Sequence, residues 1–409
     1  MSKSITIIGA GAAGLVAAIF AAKNGNKVTI LERTEMSGKK ILVSGGSRCN
    51  ILPESFSYED YFTSSSKNLM KNIFKSWDLE KCLEWLNKEI GIETYIEKET
   101  GKVFPKSDSS KEVRDLLLNK AEKLGVKIIY NFSVEEIKKE NGLWVCVSKE
   151  NNKFTSNKII VATGGLSIPK MGTDGTGHNF LRKIDHKINT LYPALTPLKG
   201  IHPNNEMLAG VSLVSEICVK TDEKNKKTSK RGGFLFTHKG FSGPSILDIS
   251  HYAVLALQEK KQLPKIYINW NEFSEEKWRE ILQPENLLVV SKLKEFIPSR
   301  LALSLCAELE IENVKLSELK KEKRNKLIEN LTRFELKYTG HEGYLKAEVT
   351  GGGVPLEEIE TSTLESKLHK NLYLCGEILD VFGRIGGFNF YWAWVTGRLA
   401  GMSASNENN

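Results

Sequence analysis

Three glycines and one acid near the start of the chain have the spacing that dinucleotide chemistry needs. Gly9, Gly11 and Gly14 make a G-x-G-x-x-G turn, and Glu32 follows Gly14 by eighteen residues. The first glycine allows a tight exit from a strand, the second lets a pyrophosphate reach the backbone, and the third lets the next helix pack close to the sheet. A helix N-terminus in this place offers free N–H groups and a partial positive charge to phosphates. A carboxylate at Glu32 accepts hydrogen bonds from the ribose hydroxyls of an adenosine.

The elements that must hold these residues are legible around them. Residues 5–8 are apolar and largely β-branched, as a buried strand requires, and residues 13–24 are alanine-rich and helical up to Gly25. Residues 28–31 read as a second buried strand that stops at Glu32. A secretory signal is the competing reading, because Lys3 precedes an eighteen-residue apolar run, 5–22, of nearly membrane-spanning length. Glycines at fixed spacing, followed at once by a strand and an acid, are not what a signal needs.

The chain has 409 residues, enough for two or three domains. Apolar residues make up 40% and charged residues 26%, ordinary for a soluble protein, and no other stretch approaches a membrane span. The expected location is therefore the cytoplasm, with no membrane partner. The net charge of +8 permits an anionic partner such as a nucleotide or RNA. Of the six cysteines, the closest two, Cys49 and Cys82, are 33 positions apart, so neither a C-x-x-C dithiol nor a zinc pattern is present.

Further along, residues 38–50 form a glycine-dense stretch carrying Lys39, Lys40 and Arg48, which reads either as a flexible loop or as a second wall for a phosphate or flavin. Residues 51–101 are helical in pattern, 111–125 read as an amphipathic helix, and 126–130 and 157–165 read as further parallel strands. Residues 133–138 and 143–148 look like a small antiparallel excursion, and 172–177 like a loop opening a helix from His178. From 192 to about 270 the residues alternate, as in an inserted antiparallel β domain, and from 271 to about 340 they are helical and charged. The tail returns to the opening style, with strands at 347–354 and 371–377 and a helix behind the Gly386–Gly387 turn.

A strand-turn-helix unit at each end of the chain suits a long, two-ended cofactor. The second unit can hold a ribityl chain and ring, with Glu377 accepting from a ribityl hydroxyl and the amides after Gly386 aimed at a flavin N1–C2=O edge. That favours FAD over NAD.

The segments GKKILVSGGSRCN, VATGGLSIPKMGTDGTG, FLFTHKGFSGPSIL, VTGGGV and LYLCGEILDVFGRIGGFNFYWAWVTGRLAG resemble the signature segments of the BaiN-like, or aminoacetone-oxidase-like, FAD-dependent flavoproteins. The resemblance implies an α/β fold: an FAD-binding Rossmann-type domain of the glutathione-reductase kind, an inserted antiparallel β-barrel-like domain and a small helical domain. The corresponding boundaries are 1–191, 192–270, 271–342 and 343–409. The implied FAD contacts fall on Gly9, Gly11, Ala13, Gly14, Glu32, Arg33, Lys40, Gly46, Arg48, Cys49, Val134, Thr163, Gly164, Gly376, Glu377, Gly387 and Asn389. Two departures stand out: Ser47 occupies a place where family members often have glycine, and Arg384–Ile385 one where they tend to have Gly-Tyr.

The resemblance leaves the substrate open between steroid enones, amines and uridine in ribosomal RNA. The first and last share one chemistry, since uracil C5=C6 conjugated to C4=O is an enone. Hydride goes from flavin N5 to the β carbon, and an acid protonates the α carbon. NAD(P)H is the expected reductant, exchanging at the flavin face because the chain has one complete fingerprint. Cys49 is the first candidate acid, with a buried cysteine packed beneath the ring as the alternative. His238 is the second, with a satisfied structural histidine as the alternative. For an RNA substrate, Lys224, Lys226, Lys227, Lys230 and the run from Lys320 to Lys326 are the candidate phosphate contacts; a solvated surface is the alternative.

Overall fold

The computed structural model describes residues 3–205, 208–220, 226–229 and 231–406. The chain divides into two compact units, Met1–Leu191 with Val349–Asn409, and Tyr192–Glu348.

The elements of the first unit that matter to the site are, in chain order, β1 (Ser4–Ile8), α1 (Ala12–Ala22), β2 (Lys27–Leu31), α2 (Lys39–Val43), α3 (Ser110–Lys123), β3 (Lys127–Ile129), β4 (Val134–Glu140), β5 (Leu143–Ser148), β6 (Lys153–Ser156), β7 (Lys158–Val161), α4 (Thr176–Lys183), β8 (Val349–Gly353), β9 (Leu372–Leu374) and α5 (Phe388–Ser405). Five strands form a parallel sheet in the order β9-β7-β1-β2-β3. Ile7 stands between Ile30 and Ile160, and all three are fully buried. Such strands are apolar along their length because helices cover both faces. β4 and β5 make the expected antiparallel excursion, and β6, which was not expected, adds a third strand to it.

One helix–helix seam shows why α1 is built from alanine. A Cβ added at Gly397 of α5 would lie 2.5 Å from the Ala13 carbonyl oxygen, and one at Gly401 would lie 2.4 Å from that of Ala17. Glycines four apart on α5 thus face alanines four apart on α1, so the two backbones meet with almost no side chain between them. The C-terminal helix is in this way a core element of the opening nucleotide unit.

Residues 51–101 are only partly helical. Helices span Lys67–Phe74 and Leu79–Trp85, but Leu52–Pro53, Thr94–Glu97 and Lys102–Pro105 pair as a small antiparallel sheet. Thr94, Tyr95 and Ile96 are strand-forming types, which explains the departure.

In the second unit, Leu198–Ile201, Ser212–Lys220, Gly232–Thr237, Gly240–Ser242 and Lys265–Asn269 belong to one sheet, paired antiparallel. Helices follow at Glu275–Ile281, Val289–Leu293, Ser299–Ala307 and Lys321–Thr332. The helical reading fails at its end: Phe334–Glu335 and Lys337–His341 are strands that pair with Lys265–Asn269 and Leu198–Ile201. Phe334 and Leu336 are buried against the sheet, and that tertiary pairing overrides the charged local pattern. Among the described residues no helix is long and apolar enough to cross a membrane.

The α1–α5 seam makes a test. Gly397→Ala should cost about 1–3 kcal/mol by overpacking against the Ala13 carbonyl. Denaturant unfolding measures it, and an unchanged midpoint would refute the close approach.

Candidate functional site

The glycine turn divides its labour. Gly9 has φ +101° and an added Cβ there would meet the Ala162 oxygen at 2.6 Å, while one at Gly14 would lie 2.0 Å from the Gly9 oxygen. Both glycines are demanded by the protein's own packing. Gly11 is different: an added Cβ would meet nothing within 4 Å. The space beside Gly11 at the N-terminus of α1 is therefore a cradle rather than a packed interior. No side chain caps that helix end.

Glu32 stands where the sequence puts it, nearly buried. Its Oε2 accepts from Ala10 N–H at 2.8 Å, and its Oε1 accepts from the backbone N–H and the hydroxyl of Thr34, each at 2.9 Å. These three bonds fix the carboxylate across the glycine turn. A carboxylate offers about four acceptor positions, so little more than one is left for a ribose hydroxyl.

Arg33 next to it joins three segments. It donates to the Gly172 carbonyl at 3.3 Å and the Ser133 hydroxyl at 3.1 Å, and forms an ion pair with Asp174. Val134, the first residue of β4, is buried directly after Ser133. Arg33, Ser133, Glu135, Lys149, Asp174 and Thr176 help to line a polar cleft of about 590 Å³.

A second cluster is a knot that the sequence reading did not resolve. Lys40 Nζ contacts Glu377 Oε2 at 2.7 Å and the Ser167 hydroxyl at 2.5 Å. Glu377 Oε1 accepts from Thr350 N–H at 2.9 Å and from the Ser167 hydroxyl at 3.0 Å. The Thr350 hydroxyl accepts from the N–H groups of Leu166 and Ser167 at 2.7 and 3.1 Å. Burial alone would raise the Glu377 carboxyl, but the charge of Lys40 and the hydrogen bonds outweigh it and hold the group below its ordinary value. Thr350 and Ser167 lie in the VTGGGV and ATGGLS segments, where the glycines drew attention and the hydroxyls did not.

Other expected contacts serve the protein itself. Gly376, at φ +78°, brings its Cα so close that an added Cβ would lie 2.8 Å from the Ala13 Cβ. Gly387, at φ +91°, is pressed onto Leu52, with the Leu52 carbonyl carbon 2.4 Å from where a Cβ would be. The Asn389 side chain accepts from Gly383 N–H at 2.8 Å and donates to the Gly383 and Arg384 carbonyls at 3.0 and 3.3 Å. It is a clamp on the turn before α5, not a group turned outward. Arg384 pairs with the nearly buried Asp60 at 3.2 Å. Gly164 has φ +70°, and the neighbouring Thr163 hydroxyl is buried, with no hydrogen-bond partner among the described residues.

The loop behind α2 pairs Arg48 within the protein and corrects the expectation of Cys49 as the acid. The Arg48 guanidinium is held by Asp108 and Glu97, each at 3.0 Å, and donates to the Tyr95 hydroxyl at 2.5 Å, so its charge is already balanced. Cys49 has no exposed surface and belongs to the hydrophobic core. Burial pushes its thiol up to about 12, against the lowering effect of a hydrogen bond with Ser44. A thiol so enclosed is packing, not a proton donor facing substrate. Gly45, Gly46, Ser47 and Cys49 all have φ between +55° and +72°. Gly46 is the open one, with nothing within 4 Å of an added Cβ.

In the second unit His238 sits exposed at the turn between Gly232–Thr237 and Gly240–Ser242. Of the basic runs, Lys224 and Lys230 lie outside the described residues, and Lys226 and Lys227 belong to a short strand on Ser212–Lys220. In the other run, Arg324 donates to the Leu316 and Leu319 carbonyls, Lys323 donates to the Leu309 carbonyl, and Lys326 pairs with Glu329. No metal-binding cluster of His, Cys, Asp or Glu occurs among the described residues.

Residues 3–403 match the model of a family described as the HI0933-like protein Rossmann domain. The chain is 31% identical to a 3-dehydro-bile acid delta(4,6)-reductase of Clostridium scindens, over 98% of this chain and 99% of that one. It is 30% identical to a ribosomal RNA dihydrouridine synthase of Haemophilus influenzae, over 98% of each. In fold it is similar to a 3-ketosteroid-delta4-(5alpha)-dehydrogenase from Rhodococcus jostii, with a TM-score of 0.52 at 13% identity, covering 99% of this chain and 97% of that one.

Two tests follow from this geometry. Glu377→Gln should cost about 2–4 kcal/mol at neutral pH by leaving Lys40 without its counter-charge. Because the Glu377 carboxyl is held low in the folded state, its contribution is complete above the unfolded-state value of about 4.3 and fades as pH falls through the folded one. Wild type and variant should thus converge in stability in acid, and a gap that persists there would sink the assignment. Ser47→Gly should instead stabilise by about 1 kcal/mol, since Ser47 holds φ +72° and only glycine does so without a steric cost. Thermal unfolding with no gain would show that the Ser47 side chain compensates.

Proposed function

Because the chain belongs to the HI0933-like family and is an FAD-dependent oxidoreductase, we propose that it reduces an activated, enone-like C=C bond with electrons from NAD(P)H. One observation carries this reading. Two relatives aligned over essentially the whole chain are named for a bile acid delta(4,6)-reductase and a dihydrouridine synthase, and both activities saturate a C=C bond conjugated to a carbonyl. The flavin, when bound, supplies hydride from N5 to the β carbon.

The residues present fit FAD. The open cradle at Gly11, with the uncapped start of α1 behind it, is suited to a pyrophosphate. Glu32, preset by Ala10 and Thr34, keeps acceptor capacity for the adenosine ribose. Arg33 and Val134 border the same end. Lys40 holds the Glu377 carboxylate, which would accept from a ribityl hydroxyl, and Thr163, Gly164 and Gly376 are the further contacts this reading expects. At the far end Asn389 shapes the turn that opens α5, whose first amides would hold a flavin N1–C2=O edge, where a helix N-terminus would stabilise negative charge.

A second reading is reduction of uridine in ribosomal RNA. It is favoured by the dihydrouridine synthase relatives, one of which covers as much of the chain as the bile acid enzyme does. Three cations of the run from Lys320 are already engaged within the protein, which lends that reading no added support.

The purified protein should release one FAD per chain by mass. Glu32→Ala should weaken FAD binding by about 1–3 kcal/mol through loss of charged hydrogen bonds. Under anaerobic conditions NADH or NADPH should bleach the flavin, and a small cyclic enone or a uridine-containing RNA fragment should reoxidise it. The acceptor that works selects between the two readings. Recovery of FMN, or reoxidation by oxygen alone, would refute both.

A further inference from the structure

The sheet order places β1 and its glycine turn between β7 on one side and β2 with β3 on the other. A crevice at the carboxyl ends of such strands is where an open α/β sheet takes its ligand. Arg33 is one of the side chains that span this crevice. Arg33 rises from the end of β2, donates to Ser133 in the segment after β3, and reaches the Gly172 carbonyl and Asp174 in the loop after β7. The loops touch closely there: an added Cβ at Gly172, whose φ is +97°, would lie 2.9 Å from the Thr34 Cγ2. The pair also walls a separate polar cleft of about 590 Å³, lined otherwise mainly by residues of β4, β5 and the turn after them rather than by the glycine turn.

We propose that the Arg33–Asp174 ion pair is a latch over the adenosine end of the cofactor site, fastening the 172–176 loop to β2 across the glycine turn and setting the rate at which FAD leaves. This rests on the reading that the chain binds FAD at Glu32. Asp174 is a positioning residue: it acts by holding Arg33 and the loop. It also accepts from the backbone N–H and the hydroxyl of Thr176, at 3.1 and 2.7 Å, and so ties the loop to the first residue of α4. The charge of Arg33 and these bonds hold the Asp174 carboxyl below its ordinary value although burial works the other way. The side chains are 29% and 44% exposed, so salt reaches the pair.

The test is release of FAD from the holoenzyme, followed by flavin fluorescence after dilution into a trap for free FAD. Asp174→Asn keeps an acceptor for Thr176 and removes the charge; Arg33→Met keeps the stem and removes the guanidinium. Each should speed release about three- to tenfold, the range expected of a partly exposed pair with added hydrogen bonds. The double variant should be no faster than the faster single one, because both remove one interaction. Sodium chloride at 1 M should speed release from wild type and leave the variants unmoved. Release rates within about 1.5-fold of wild type, or effects that multiply in the double variant, would overturn the latch. A wild-type protein that holds no FAD would overturn the cofactor reading with it, so the two failures are told apart by the wild-type arm.

Discussion

The Lys40–Glu377 ion pair is the contact on which the first unit depends. Its two members lie 337 positions apart in the chain. Lys40 comes from the helix after β2 and Glu377 from the turn after β9, and Ser167 and Thr350 complete the knot from the turn after β7 and from β8. Four segments that diverge from the sheet are therefore fastened to one another at its crest. A half-buried carboxylate with three partners is costly to leave unpaired, so the knot fixes where the segments sit as well as holding them. The chain leaves this unit after Leu191 and re-enters it at Val349, and the pair ties the two portions together.

Close backbone approach does the same work on the apolar side. Gly376 presses on Ala13, and Gly397 and Gly401 press on Ala13 and Ala17. The first helix after the glycine turn is thus packed by the last helix of the chain. Three positions that resemble cofactor contacts, Gly376, Gly387 and Asn389, have structural reasons for their identity that need no ligand. Gly11 and Gly46, by contrast, have nothing within 4 Å of an added Cβ, so the protein's own packing does not demand glycine there.

What was legible in the sequence follows from this distinction. The strand–turn–helix at Gly9 to Glu32 is local, each part within a few residues of the next, and it stands as read. The return of the chain to the sheet was legible because β9 and, apart from the buried Lys158, β7 are apolar, as strands buried on both faces are. Partners were not legible. Arg48 is a cation in a glycine-rich loop, but Glu97 and Asp108, which neutralise it, lie 49 and 60 positions away. Cys49 has the chemistry of an acid and the surroundings of a core residue, and residue type does not report burial. The strands at Phe334–Glu335 and Lys337–His341 were lost because charged local pattern outvoted a pairing that exists only with Lys265–Asn269 and Leu198–Ile201.

The pairing of charges also bears on how an anionic cofactor is met. The chain carries a net charge of +8, yet four cations of the expected site or beside it are committed: Arg33 to Asp174, Lys40 to Glu377, Arg48 to Glu97 and Asp108, Arg384 to Asp60. Breaking a partly buried pair to serve a phosphate would cost about what the new contact returns. The uncapped amides at the start of α1 bear no such cost, since helix N-terminal N–H groups have no partner within the helix. On the proposed reading, a pyrophosphate here would be met by backbone amides and the helix dipole, with the side-chain cations acting on protein carboxylates to hold the loops. The same bookkeeping limits what net charge says about an RNA partner, because only cations without an internal carboxylate or carbonyl release counterions on contact with phosphate.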